Sequence, residues 1–115
     1  MAKKRVSKEV VNIVRQYTQR LSEEEKLPIK RVMIFGSQTT GKAHPWSDID
    51  VCIISPKFKD ALEAIEFLLS KRKREEVIAG LEPVGFTERD FAANSTFLNE
   101  IKKTGLELKS RPLAR

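Results

Sequence analysis

Two aspartates one residue apart, Asp48 and Asp50, open an otherwise apolar stretch, Val51-Cys52-Ile53-Ile54. In a β-strand alternate side chains share a face, so the two carboxylates point together with Cα atoms roughly 6.5–7 Å apart. Ile49, Val51 and Ile53 then point the other way, into a core. Neighbouring carboxylates repel one another, and an apolar strand compensates them poorly. A divalent cation would do so: magnesium takes hard oxygen ligands and leaves positions open for phosphate oxygens. Just upstream, an apolar run over residues 29–35 stops at Gly36-Ser37. Glycine lets a ligand approach the backbone, whose free N–H groups and the Ser37 hydroxyl can hold a phosphate oxygen. Alone, Asp-x-Asp reads more simply as a solvated strand start, and Gly-Ser as a routine turn. Their succession carries the argument: one strand end offers phosphate donors and the next strand offers metal ligands.

A rival motif overlaps this segment. Gly36-Ser37-Gln38-Thr39-Thr40-Gly41-Lys42 begins like a P-loop after a buried strand. The next residue is Ala43, where that motif needs a hydroxyl for magnesium, and Pro45 obstructs the helix that should follow. The P-loop reading is therefore set aside.

The elements that must position these groups follow from periodicity. Residues 7–21 form an amphipathic helix with Ser7 as N-cap and Val10, Val11, Ile13, Val14, Tyr17 and Leu21 on one stripe. Leu27-Pro28 ends it. Strands are expected over 29–35 and 48–54, joined by a loop over 36–47 with at most a short helix. A helix over 60–73 would bury Ala61, Leu62, Ile65, Leu68 and Leu69, its basic end Lys71-Arg72-Lys73-Arg74 facing the C-terminal dipole. A third strand spans 81–86. Thr87 and Asp90 form a capping box for a helix that breaks near Asn94-Ser95, resumes to 103 and is capped by Gly105. Residues 106–108 add an edge strand. The order points to an α/β (α+β) fold, a small mixed sheet with helices packed on it.

The chain has 115 residues, which suits a single domain over 1–115. With 40% hydrophobic and 33% charged residues, it reads as a soluble protein with a modest core. No run approaches the roughly 20 apolar residues of a membrane span, and the basic start lacks a signal-peptide core, so a cytoplasmic location is expected. One cysteine, Cys52, excludes an internal disulfide and reads as a core thiol. The net charge of +6 suits handling of phosphates or an acidic partner as well as nucleic acid. The basic residues lack interleaved aromatics, which disfavours nucleic acid as the main partner. His44 reads as a solvated loop residue and Trp46 as packing for that loop.

Phe35-Gly36-Ser37, then Gly41-Lys42-Ala43, then Ser47-Asp48-Ile49-Asp50-Val51 resembles the signature of the polymerase-β-like nucleotidyltransferase superfamily, and within it the minimal nucleotidyltransferases. Those small cytoplasmic proteins are often encoded beside a helical HEPN partner as a toxin–antitoxin pair. The resemblance covers about residues 29–108 and implies a nucleotidyltransferase-like fold. It implies that Gly36 and Ser37 hold the phosphates of an NTP, with ATP favoured, while Asp48 and Asp50 bind Mg2+. It also implies a third carboxylate on a following strand that completes the metal site. Glu82 is the best match, standing where the family pattern has the shorter Asp. Lys42 would steady a phosphate, and Ser47 belongs to the motif. Glu88 and Asp90 read instead as first-turn helix residues. The implied activity is magnesium-dependent transfer of a nucleotidyl group, AMP, to a protein partner. The alternative is a binding module of the same fold that neutralises a partner with little turnover. A nucleic-acid-binding domain ranks third.

Overall fold

A computed structural model describes residues 6–40, 47–93 and 95–109. Among these, four strands form one mixed sheet in the order β3-β2-β1-β4. Strands β1 (Arg31–Phe35) and β2 (Ile49–Ile54) pair antiparallel, β1 and β4 (Leu106–Leu108) pair antiparallel, and β2 pairs parallel with β3 (Leu81–Phe86). A parallel pair needs a crossover. Here α3 (Ala61–Ser70) and α4 (Arg74–Ile78) provide it. Pro83 lacks an N–H for the ladder, and β3 accommodates it as an edge strand.

Helix α1 (Lys8–Glu24) starts where the Val10 N–H reaches the Ser7 hydroxyl at 3.2 Å. It runs one turn beyond the expected end at Leu21, through Ser22, Glu23 and Glu24. The chain then turns at Lys26 (φ 56°), and the Leu27 N–H returns to the Leu21 carbonyl. The single helix expected over 60–73 is two. Asp60 caps α3 through the Glu63 N–H, but α3 ends at Ser70. Glu76 accepts from the Lys73 N–H at 2.7 Å and so nucleates α4. Arg72, expected on a helix end, leaves the helix and donates to the Leu69 and Leu81 carbonyls, tying the crossover to β3. The expected stripe of α3 is also corrected. Ala64 and Leu68 are fully buried, whereas Leu62 is largely exposed.

Both faces of the sheet are covered. On one, Val32, Ile34, Ile49, Val51 and Ile53 meet Val14, Tyr17 and Leu21 of α1 and Ala64 and Leu68 of α3. The Tyr17 hydroxyl donates to the Leu68 carbonyl, which satisfies both groups in the interior. Burial pushes its pKa well above the ordinary phenol value, with the nearby Glu76 adding to the shift. Arg20 clamps Glu76 through both carboxylate oxygens, at 2.6 and 3.0 Å, fixing α4 to α1. On the other face, Met33, Cys52 and Ile54 pack against Leu98 and Ile101 of α6 (Thr96–Thr104). Phe91 of α5 (Glu88–Ala92) joins them. Cys52 is a free, buried thiol whose pKa is pushed up to about 12 by burial. Thr87 and Asp90 form the expected capping box, with Asp90 N–H on the Thr87 hydroxyl at 2.9 Å. Gly105 caps α6, in an extended rather than a left-handed conformation. No helix among the described residues is long and apolar enough to cross a membrane.

Candidate active site

The register of the sheet brings three separated stretches of chain into one row. Phe35 at the end of β1 lies opposite Asp50, and Asp50 lies beside Glu82 of β3. Paired residues share a face, so Asp50 and Glu82 stand on the side of Cys52 and Ile54. Ile49, Val51 and Ile53 take the opposite side and are buried, as strand alternation demands. Asp48 sits one residue before β2, exposed, and Glu82 is exposed as well. Asp50 is partly buried, and its carboxyl is raised above the usual range. Burial is the main cause, followed by the charges of Asp48 and Glu82. The charges of both neighbouring carboxylates therefore bear on Asp50.

Gly36 forms the corner between β1 and the short helix α2 (Ser37–Thr40), at φ 77°. A Cβ there would run into the Asp50 carboxylate oxygen Oδ2. Gly36 is thus a glycine for two reasons: the left-handed turn and the carboxylate that fills its side-chain space. Ser37 opens α2, and Thr39 closes that turn with both its N–H and its hydroxyl on the Gly36 carbonyl, at 3.0 and 2.9 Å. Lys42, together with His44 and Trp46, lies outside the described residues.

Two positioning residues escaped the sequence reading. Gly80, at φ 86°, precedes β3, and its carbonyl accepts from the Ile49 N–H at 2.8 Å. A Cβ on Gly80 would lie 3.3 Å from Asp48 Oδ1 and 3.4 Å from Asp48 Cα. Each aspartate therefore rests against a bare glycine. In the sequence Gly80 is visible only as a glycine immediately before the third strand. Gln38 of α2 donates from Nε2 to the carbonyls of Ser47 and Asp48, at 3.4 and 3.2 Å. It ties the Gly36 turn to the start of the acidic strand. Nothing in the spacing around Gln38 announces that role.

The donor set suits a hard cation: among the described residues it consists of carboxylate oxygens. Among the described residues no three His, Cys, Asp or Glu side chains are arranged to hold a metal ion by themselves. Magnesium does not require that, since it usually takes one or two carboxylates and completes its shell with water and substrate phosphates. Asp48 and Asp50 are the pair that would hold it, with Glu82 across the strand boundary. A cleft of about 590 Å³ between α1 and α4, lined by Gln16, Arg20, Glu24 and Lys73 among others, includes none of these residues.

A glycine turn after one strand, a paired-aspartate strand antiparallel to it, and a parallel third strand define a nucleotidyltransferase fold. The chain belongs to the nucleotidyltransferase domain family, which it matches over residues 14–111. In three dimensions it is similar to the crystal structure of a candidate nucleotidyltransferase from Sulfolobus solfataricus. That match has a TM-score of 0.62 at 13% identity and covers 86% of this chain and 78% of the other. At that identity the likeness concerns the fold. No curated protein shows a significant sequence match to the chain.

Proposed function

We propose that this chain is a cytoplasmic, magnesium-dependent nucleotidyltransferase that moves AMP from ATP to a protein acceptor. Its acceptor would be a helical HEPN-type partner, with the chain as the antitoxin member of the pair. The observation that supports the chemistry is the meeting of Gly36 with Asp50: the phosphate turn and the acidic strand touch at one point. Magnesium, when bound, neutralises charge on the triphosphate oxygens. The chain's own residues do the rest. The Gly36–Ser37 backbone and the Ser37 hydroxyl hold the β- and γ-phosphates. Asp48 and Asp50 would hold the metal, which would supply charge neutralisation there, and Gln38 ties the start of their strand to the turn. Glu82 accepts the proton of the acceptor hydroxyl as its oxygen bonds to the α-phosphorus. The bond from the α-phosphorus to the bridging oxygen breaks, and pyrophosphate leaves. Positioning and charge stabilisation supply the acceleration, with no covalent enzyme intermediate. Exposed Leu62, Val77 and Ile78 on α3 and α4 are apolar side chains of the kind a protein partner covers.

A second reading is a binding module of the same fold that neutralises its partner without turnover. One observation favours it: the described carboxylates do not close into a three-ligand site, and the third of them is the longer Glu82. One experiment separates the two. The chain is incubated with its co-purified partner, magnesium and ATP labelled at the α-phosphate. Transfer of label to the partner, lost in Asp48→Ala and Asp50→Ala, supports the transferase. Tight partner binding with no label from any NTP supports the module. Label that persists in both variants would remove the assigned site.

A further inference from the structure

The transfer chemistry leaves an aromatic group beside the carboxylates unused. Helix α6 lies over the sheet face that carries Asp50 and Glu82, anchored by Leu98 and Ile101, each 2% exposed. Phe97, the residue before Leu98, remains 49% exposed. Its ring is nevertheless held in place. Phe35 meets it edge-on, with centroids 5.8 Å apart and planes at 87°, and Phe86 meets it at 6.0 Å and 53°. Phe35 is the chain neighbour of Gly36 and the register partner of Asp50. The braced, half-exposed ring therefore stands within one nucleotide's reach of the phosphate turn.

A nucleoside triphosphate has two ends of opposite chemistry, a polyanion and a flat apolar base. The Gly36 corner suits the first, and an exposed aromatic ring suits the second. Resting on the transferase reading above, we propose that Phe97, braced by Phe35 and Phe86, is the platform on which the nucleobase stacks. Stacking on a ring reads surface area rather than hydrogen-bond pattern, so purines bind more tightly than pyrimidines and no base is excluded.

The test compares calorimetric affinities of wild type, Phe97→Leu and Phe97→Trp for three magnesium complexes: ATP, CTP and inorganic tripolyphosphate. Leucine keeps apolar contact with α6 and the sheet but removes the flat ring. Phe97→Leu is expected to weaken ATP about tenfold, to narrow the gap between ATP and CTP, and to leave tripolyphosphate unchanged. Phe97→Trp is expected to retain ATP, with indole emission quenched by ATP and not by tripolyphosphate. Unchanged ATP affinity in Phe97→Leu overturns the proposal, as does an equal loss for ATP and tripolyphosphate. If wild type binds neither ATP nor tripolyphosphate, the transferase reading falls and the platform falls with it. If wild type binds both and Phe97→Leu is indifferent, the platform alone falls.

Discussion

The two faces of the sheet are built to different ends. Beneath α1 and α3 the strand side chains are apolar and, apart from those of the edge strand β4, buried, and Tyr17–Leu68 and Arg20–Glu76 are paired there. Beneath α5 and α6 the core is smaller and gives way at one end to Asp50, Glu82 and the half-exposed Phe97. The first face holds the strands in register, and the second uses that register to hold carboxylates together at an electrostatic cost. Stability and chemistry are thus divided between opposite sides of one strand, β2.

Substitutions on the two faces should separate accordingly. The largest effect is expected from Asp50→Asn: nucleotidyl transfer in the labelling assay should fall about a thousandfold or more. Its denaturation midpoint should stay the same or rise, because a strained carboxylate is removed; a fall in the midpoint would break the division between faces. Next comes Leu68→Ala on the opposite face. It should cost about 3 kcal/mol in urea unfolding and leave ATP affinity unchanged below the transition. Gly36→Ala touches both properties. The left-handed turn should cost about 1 kcal/mol, and the added methyl should displace Asp50 and weaken tripolyphosphate binding.

Tyr17→Phe is the smallest effect and sharpens the comparison through pH. Loss of the hydroxyl should cost about 1 kcal/mol at neutral pH. The folded state holds Tyr17 protonated, its pKa raised by burial above the ordinary value of 10.0. That stabilisation is fully present below pH 10 and is lost as pH rises further, because the unfolded chain ionises first. The gap between wild type and Tyr17→Phe should therefore close in urea titrations above pH 10. A gap that stays constant would show that Tyr17 does not couple folding to protons.

How far the sequence foretold this division depends on the kind of signal. The strands at β1 and β2 were legible because β-branched runs stop at Gly36 and Ser55-Pro56, and β3 because a short, mostly apolar segment lies between Gly80 and Thr87. The capping box at Thr87 was legible because its two partners lie three residues apart. The break between α3 and α4 was not, because Glu76 creates it by bonding the Lys73 backbone within a uniformly charged run. At the site, Gly36, Asp48 and Asp50 could be named because their roles follow from local backbone chemistry. Gly80, Gln38 and Phe97 could not, since each matters only through a partner distant in sequence: Asp48, the 47–48 backbone and Phe35.

The parallel pairing of β2 with β3 has a consequence for how the site comes into being. The β1–β2 hairpin is a local structure, and a chain that has formed only the hairpin already seats Asp50 against Gly36. Glu82 arrives later in the chain, after residues 55–80 have looped back across the sheet, a closure that carries an entropic toll of its own. On the proposed function, nucleotide affinity and acceptor activation should therefore appear at different moments of refolding, the first with the hairpin and the second only once β3 has docked.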